Sequence, residues 1–422
     1  MTISSKQGFL MSKSFVLSAM LTVAAATIAV PVTVRAADAA SAGKAVSPAA
    51  AKTLKAAVDA STAKNFALSI SKAQEALALP GKTAYDSLVA YQLLAYAYAQ
   101  QGNAAEALKA LQGQIDSGAM SPAEQAKAIK TMTGVAYQQK NYAQAAEFGN
   151  RMIRSGDADA ETYGIVGHSL YQQGKYADAS KLLDDYVDDQ ERKGQVPRES
   201  TLNVLRGSQD KLGNKNGVID TLEKLVVHYP KPEYWDILLY TQRRDPKLTE
   251  RQTLQVYRLM QATNTLKQAS DFTEMADLAA NAGVPGEAQR TLEQGLTANA
   301  FTQETDKSRA TRLLASAKKS VAADQAGLAK LEADAKAAKT GDLAFAAGAA
   351  YYGTANYPKA IESLNLALTK GGLKNPPEAQ MMLGISQLRA NNKAEAIKTF
   401  KSIKTDDELT QRIAKLWVLY AS

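Results

Sequence analysis

The chain has 422 residues, 50 Lys and Arg against 42 Asp and Glu for a formal net charge of +8, no cysteine, and two histidines, His168 and His228. The missing cysteine excludes disulfides, thiolate nucleophiles, Cys-ligated zinc, iron-sulfur clusters and a lipid-bearing N-terminal cysteine. Two histidines supply poorly either an imidazole metal centre or a Ser-His-Asp triad, so no metal and no cofactor is expected.

The N-terminus has the layout of an export signal. Lys6 and Lys13 precede the apolar run FVLSAMLTVAAATIAVPV from Phe15 to Val32, and TVRAADAA follows. Residues 1–36 are read as a signal peptide cleaved after Ala36, or alternatively after Ala39, with translation starting at Met1 or at Met11. The length of the run also fits an uncleaved anchor, but Pro31 and the small residues after it favour cleavage, leaving no transmembrane anchor. Loss of residues 1–36 removes Lys6, Lys13 and Arg35 and no acid, so the mature charge is +5. Acids and bases then interleave instead of forming a basic stripe, and no nucleic-acid partner is expected. Residues 37–49, rich in Ala and Ser, are read as a disordered linker.

From residue 50 onward the pattern is helical and repeats. VAYQQKNYAQAAEF at 135–148 is echoed by SLYQQGKYADASKL at 169–182, with Tyr137 and Tyr171, Tyr142 and Tyr176, and Ala145 and Ala179 each 34 residues apart. Tyr163, Val166, Gly167 and Leu170 form one helical stripe, Gly174 interrupts, and Tyr176, Ala179, Leu183 and Tyr186 form a second. The unit is therefore two antiparallel helices, which bury their outer faces only by stacking on the next pair. A small residue early in the second helix recurs as Ala107, Ala145, Ala179, Val218, Ala288, Ala360 and Ala396, at steps of one period or two. A companion in the first helix recurs as Ala95, Gly167, Ala276, Gly348 and Gly384. Turn signals such as QQGN at 100–103, QQKN at 138–141 and GTAN at 353–356 lie between them, and Pro230 closes its unit.

LLAYAYAQQGNAAEALKAL at 93–111, VGHSLYQQGKYADASKLL at 166–183, YYGTANYPKAIESLNLAL at 351–368 and MLGISQLRANNKAEAIKTF at 382–400 resemble the tetratricopeptide repeat, with MADLAANAGVPGEAQRTLEQGL at 275–296 a looser copy. The resemblance implies an all-α fold, an α-solenoid superhelix of about 9–10 stacked antiparallel pairs. It divides into an N-terminal array at 50–230, divergent pairs at 231–340 with one repeat-like unit at 270–298, and a C-terminal repeat pair with capping helix at 341–422. Residues 304–338 read as one long helix or as two.

Catalytic sets are sparse. Ser69–Lys72 and Ser316–Lys319 match Ser-x-x-Lys without the mixed domain that chemistry needs, and there is no Gly-rich phosphate loop or nucleophile elbow. The acidic LLDDYVDDQER at 182–192 lacks the glycine and alternating ligands of a calcium loop and reads as a solvated helix face. The chain is not expected to be an enzyme.

In the tetratricopeptide family the first helices line a concave surface that holds extended or helical peptides. That phase places Gln92, Tyr96, Gln100, Lys130, Tyr137, Gln138, His168, Tyr171, Gln172, Asn203 and Lys211 on or near the face. Tyrosines and amides suit adaptable contact with a polypeptide or glycan, while the alternative is that the tyrosines only pack between repeats. A two-carboxylate clamp needs an Asn where Gly134 stands. The resulting expectation is a non-catalytic scaffold or adaptor of the bacterial cell envelope, periplasmic and not a lipoprotein. Its partner would be a protein or peptide of the envelope, with a cell-wall or exported polymer as a second ligand class. A repeat subunit of an export or polysaccharide-secretion machine is the alternative. A cell-wall lytic enzyme built on a helical superhelix is the less favoured third reading, because the C-terminal third lacks its Glu-Ser pair and Gly-Leu-Met-Gln-like stretch.

Overall fold

The structure, a computed structural model, describes residues 45–422, so the expectations for the signal peptide 1–36 and for most of the linker lie outside the described residues. Among the described residues there are 20 helices and no strand, joined by short turns. None is long and apolar enough to cross a membrane. The chain divides into two compact units, the first ending at Val218 and the second starting at Ile219. This boundary differs from the expected one at Pro230 and falls inside a helix.

Unit 1 is a run of pairs: α1 (Pro48–Thr62) with α2 (Phe66–Ala78), α3 (Ala84–Gln100) with α4 (Ala104–Asp116), α5 (Pro122–Gln138) with α6 (Tyr142–Ser155), and α7 (Ala160–Gln172) with α8 (Tyr176–Arg192). Then come α9 (Glu199–Lys211) and the start of α10 (Lys215–His228). First helices pack on first helices, α1 on α3, α5 on α7 and α7 on α9, which makes them the inner layer of the stack. Helix α1 begins at Pro48, inside the expected linker, for a local reason. Ser47 caps it and donates Oγ to Asp86 Oδ2 at 2.7 Å, and Asp86 is itself the carboxylate of the α3 capping box with Thr83. Burial pushes the Asp86 carboxyl up, but the hydrogen bonds from Thr83 and Ser47 outweigh it and hold the group below its ordinary range.

The turn signals act as N-caps. Asn65, Asn103, Asn141 and Asn356 each accept a backbone N–H of the second helix in their pair, and the residue before each is left-handed: Lys64 (φ +58°), Gly102 (+73°), Lys140 (+57°) and Ala355 (+61°). The marker alanines are the points of closest packing, with Ala145, Ala179, Ala360 and Ala396 fully buried. Glycine is required where the first helix meets a large side chain one turn beyond the alanine. A Cβ on Gly167 would stand 2.5 Å from Leu183 Cδ2, and one on Gly384 would stand 2.5 Å from Phe400 Cε1.

Unit 2 holds the rest of α10, α11 (Pro232–Arg243), α12 (Glu250–Ala262), the pair α13 (Ala269–Asn281) and α14 (Pro285–Thr297), α15 (Glu304–Ala337), the pair α16 (Asp342–Gly353) and α17 (Tyr357–Lys370), the pair α18 (Pro376–Arg389) and α19 (Lys393–Lys401), and α20 (Glu408–Ala421). Helix α15 is a single helix of 34 residues, which settles the alternative at 304–338. The segment is rich in Ala, Lys and Leu, and its lone Gly327 is too weak a break to end a helix of such strong formers. The unit closes on itself. The Lys415 Nζ donates to Glu223 Oε2 at 2.5 Å, Arg412 pairs with Asp220 and Glu223, and Trp235 meets Tyr420 edge to face, so α20 packs against α10, α11 and α12.

Candidate functional site

The inner layer of unit 1 gathers four of the eleven expected residues into one cluster. The Tyr137 hydroxyl and His168 Nδ1 share a hydrogen bond of 2.7 Å from α5 to α7, and Gln172 Nε2 donates to His168 Nε2 at 3.0 Å. An imidazole that accepts at Nε2 carries its proton on Nδ1 and is neutral, in keeping with burial, which lowers the His168 pKa. Tyr171 stacks at 6.5 Å from His168 and meets Tyr176 edge to face at 5.2 Å. Tyr142 lies edge to face with both Tyr137 and His168. Burial, with Tyr142 adding to it, pushes the Tyr137 hydroxyl up to about 12, so the phenol stays a neutral hydrogen-bonding group.

The other expected residues stand apart from this cluster. Gln138, Gln100 and Lys211 are exposed near helix ends. Tyr96 packs edge to face on Phe66, and Gln92 is half-buried on the same helix. Asn203 turns inward along its own helix, donating Nδ2 to the Glu199 carbonyl at 3.1 Å. Lys130 ties α5 to the next pair through Asp159 at 2.5 Å and Glu161 at 3.7 Å. The bond to Asp159 raises the Lys130 pKa. Burial works to raise Asp159 as well, but Lys130 and the Thr162 hydrogen bonds bring that carboxyl down to about 2.

A crevice between α5, α7 and α9, bordered by Tyr137, Gly164 and Thr201, has room for about one water-sized group, about 10 Å³. Thr201 is buried and its Oγ1 has no protein partner. This face is therefore a firm, nearly closed surface with polar tips, not a deep pocket. Among the described residues no three His, Asp or Glu side chains converge as they would around a metal ion.

The best-built polar network lies in unit 2 and was not anticipated. Arg258 on α12 donates Nε and Nη2 to the two oxygens of Glu287 at 2.8 and 2.6 Å, Tyr352 donates its hydroxyl to the same carboxylate at 3.0 Å, and the guanidinium lies 5.2 Å from the Tyr352 ring. The sequence signal was LQVYRLM at 254–260, in which Gln255 and Arg258 are set among apolar and aromatic residues on all sides of the helix. A helix buried on every side needs a partner for such a charge.

Residues 345–408, spanning α16 to α19, match the family model described as tetratricopeptide repeat. That stretch thus carries a tetratricopeptide-type repeat, and the helix pairs of the rest of the described chain follow the same two-helix plan. No curated protein matches the chain. Among solved structures the chain is similar to the TPR2AB-domain:pHSP90 complex of yeast Sti1, at 14% identity, covering 70% of this chain and 98% of that one, with a TM-score of 0.25. The yeast Tom70 structure overlaps at 13% identity, 88% and 95% coverage and a TM-score of 0.25. The maize pentatricopeptide repeat protein PPR10 overlaps at 17% identity, 87% and 56% coverage and a TM-score of 0.31. Overlaps this loose carry no weight for ligand or partner.

Proposed function

We propose that the chain is a non-catalytic protein-interaction scaffold of the bacterial cell envelope, holding an extended or helical segment of a partner polypeptide on the first-helix face of unit 1. The observation that carries this reading is the cluster of Tyr137, His168, Tyr171 and Gln172. Neighbouring repeats lock its rings together, while Gln138, Gln172 and Lys130 keep exposed polar ends beside them. Rigid aromatic rings with amide neighbours bind polypeptide at low entropic cost. Export rests on the arrangement of Lys6, Lys13 and the apolar run after them.

Site-specific photo-crosslinking tests the assignment in the exported chain. A photoreactive residue at Gln138 or Gln172 should give discrete adducts that Tyr137→Ala/Tyr171→Ala abolishes, whereas one at the exposed Lys181 of α8 should not. The same adducts from all three positions would remove this face from consideration. Retention of the chain inside spheroplasts after osmotic shock would remove the envelope part of the reading.

A further inference from the structure

Helix α12 is enclosed by the unit it belongs to. The seven consecutive residues from Leu254 to Met260 are all buried, so neighbours surround the helix over nearly two turns. Its cations lie seven residues apart on one face, and each meets a buried carboxylate at a helix N-terminus: Arg251 pairs with Glu378 of α18 and Arg258 with Glu287 of α14. Gln252 donates to Asp407 and to Thr410 of α20, Gln261 donates to Gln294 of α14 at 2.8 Å, and the Tyr420 hydroxyl donates to the Ala262 carbonyl at 2.9 Å. Successive elements of the repeat array, α14, α16, α18 and α20, thus all present side chains to one helix. That is how an array grips a helical ligand, with the ligand supplied by the same chain.

The fit is incomplete. Gln255 Oε1, Arg258 Nη1 and both amide atoms of the fully buried Gln242 on the adjoining α11 have no hydrogen-bond partner. Each buried polar atom left without a partner carries a desolvation cost that weakens the hold of this contact.

We propose that α12 is an internal ligand of unit 2, and that the groove it fills recognises a largely apolar helix carrying two cations seven residues apart, so that a partner helix of that pattern takes its place. The recognition elements are Glu287 and Glu378, whose burial makes an unpaired state costly and demands a cation opposite each. This inference stands apart from the reading of unit 1, because it concerns a different face and a different ligand chemistry.

Fluorescence anisotropy with a labelled peptide of residues 249–263 tests it on the full chain and on Arg251→Ala/Gln252→Ala. That variant removes the polar latch at the half-exposed end of α12 and leaves the buried stretch intact. The variant should bind the peptide at least about tenfold more tightly than the parent, as expected when the open groove becomes tenfold more populated. Binding should vanish when both arginines of the peptide are replaced by Ala. Equal binding by parent and variant, no binding by either, or binding that survives loss of both arginines overturns the proposal. Hydrogen exchange on the unmutated chain gives a second readout: amides of 250–262 should exchange through a local opening, faster than those of 376–389. Equal rates in the two segments also overturn it.

Discussion

Arg258 and Glu287 face each other through two parallel hydrogen bonds, and both side chains are 1% exposed. A charge pair this dry is held by mutual dependence, since each group alone would be a buried ion. Glu287→Gln should therefore destabilise unit 2 by about 3–5 kcal/mol, whereas Arg258→Met/Glu287→Leu should cost far less. Trp235 and Trp417 are the only tryptophans and both lie in unit 2, so urea unfolding followed by tryptophan fluorescence reads that unit alone.

His168 gives unit 1 a pH dependence. Burial lowers its folded pKa below the ordinary 6.5, so as pH falls through about 6.5 the unfolded chain takes up a proton before the folded chain does. Stability should decline over that interval and level off below the folded pKa. His168→Gln should flatten the decline, as measured by circular-dichroism melts between pH 7.5 and 5. A slope unchanged in the variant would place the titrating group elsewhere.

Asp159 acts lower on the scale. Its carboxyl is brought from 3.8 to about 2, so its contribution is fully present above 3.8 and is lost as pH falls through about 2. Asp159→Asn keeps the N-cap of α7, because asparagine caps as well as aspartate, and removes only the ion pair with Lys130. Both partners of that pair are about half exposed, so the loss at neutral pH should be under about 1 kcal/mol. The variant should show its difference as a shallower acid limb in the same melts.

Local chemistry made the repeat legible. An asparagine after a left-handed residue, an alanine that must touch, and a glycine under a large side chain all sit close together in the chain, so periodicity exposed them. The grouping of Tyr137 with His168 could be read because it joins neighbouring repeats 31 residues apart. Helix α12 could not be placed this way. Arg251 reaches Glu378, 127 residues on, and Gln252 reaches Asp407, 155 residues on, and no periodic signal links such positions. The signature also fails in α12 for a physical reason, since a helix enclosed on every side has no polar face to set a phase. The expected peptide-binding row of eleven residues proved heterogeneous because phase alone cannot tell a side chain that packs, like Tyr96 on Phe66, from one that reaches solvent, like Gln138.

The Gly384 Cα hydrogen points at the Phe400 ring, and a methyl there would overlap it at 2.5 Å. Phe400 is 1% exposed and stacked on Trp417 at 5.6 Å, so the ring cannot withdraw. Gly384→Ala should cost about 1–3 kcal/mol, and Phe400→Leu added to it should recover part of that loss despite being destabilising alone. A double-mutant cycle by tryptophan fluorescence measures the coupling, and additive losses would contradict a direct clash.

Ala355 offers the opposite test, a position where the sequence can be improved. It holds φ at +61° immediately before the N-cap Asn356, while Gly102 occupies the equivalent place in the α3–α4 pair at +73°. An L-residue there crowds its Cβ against the following carbonyl, a strain of about 1–2 kcal/mol that glycine does not feel. Glycine loses more backbone entropy on folding, which returns a part of the gain. Ala355→Gly should therefore stabilise unit 2 by about 0.5–1 kcal/mol, seen as a higher urea midpoint at unchanged slope. Alanine placed at Gly102 should move unit 1 the other way by a similar amount. A null result at both positions would mean that the turn relaxes out of the left-handed region when it carries a side chain.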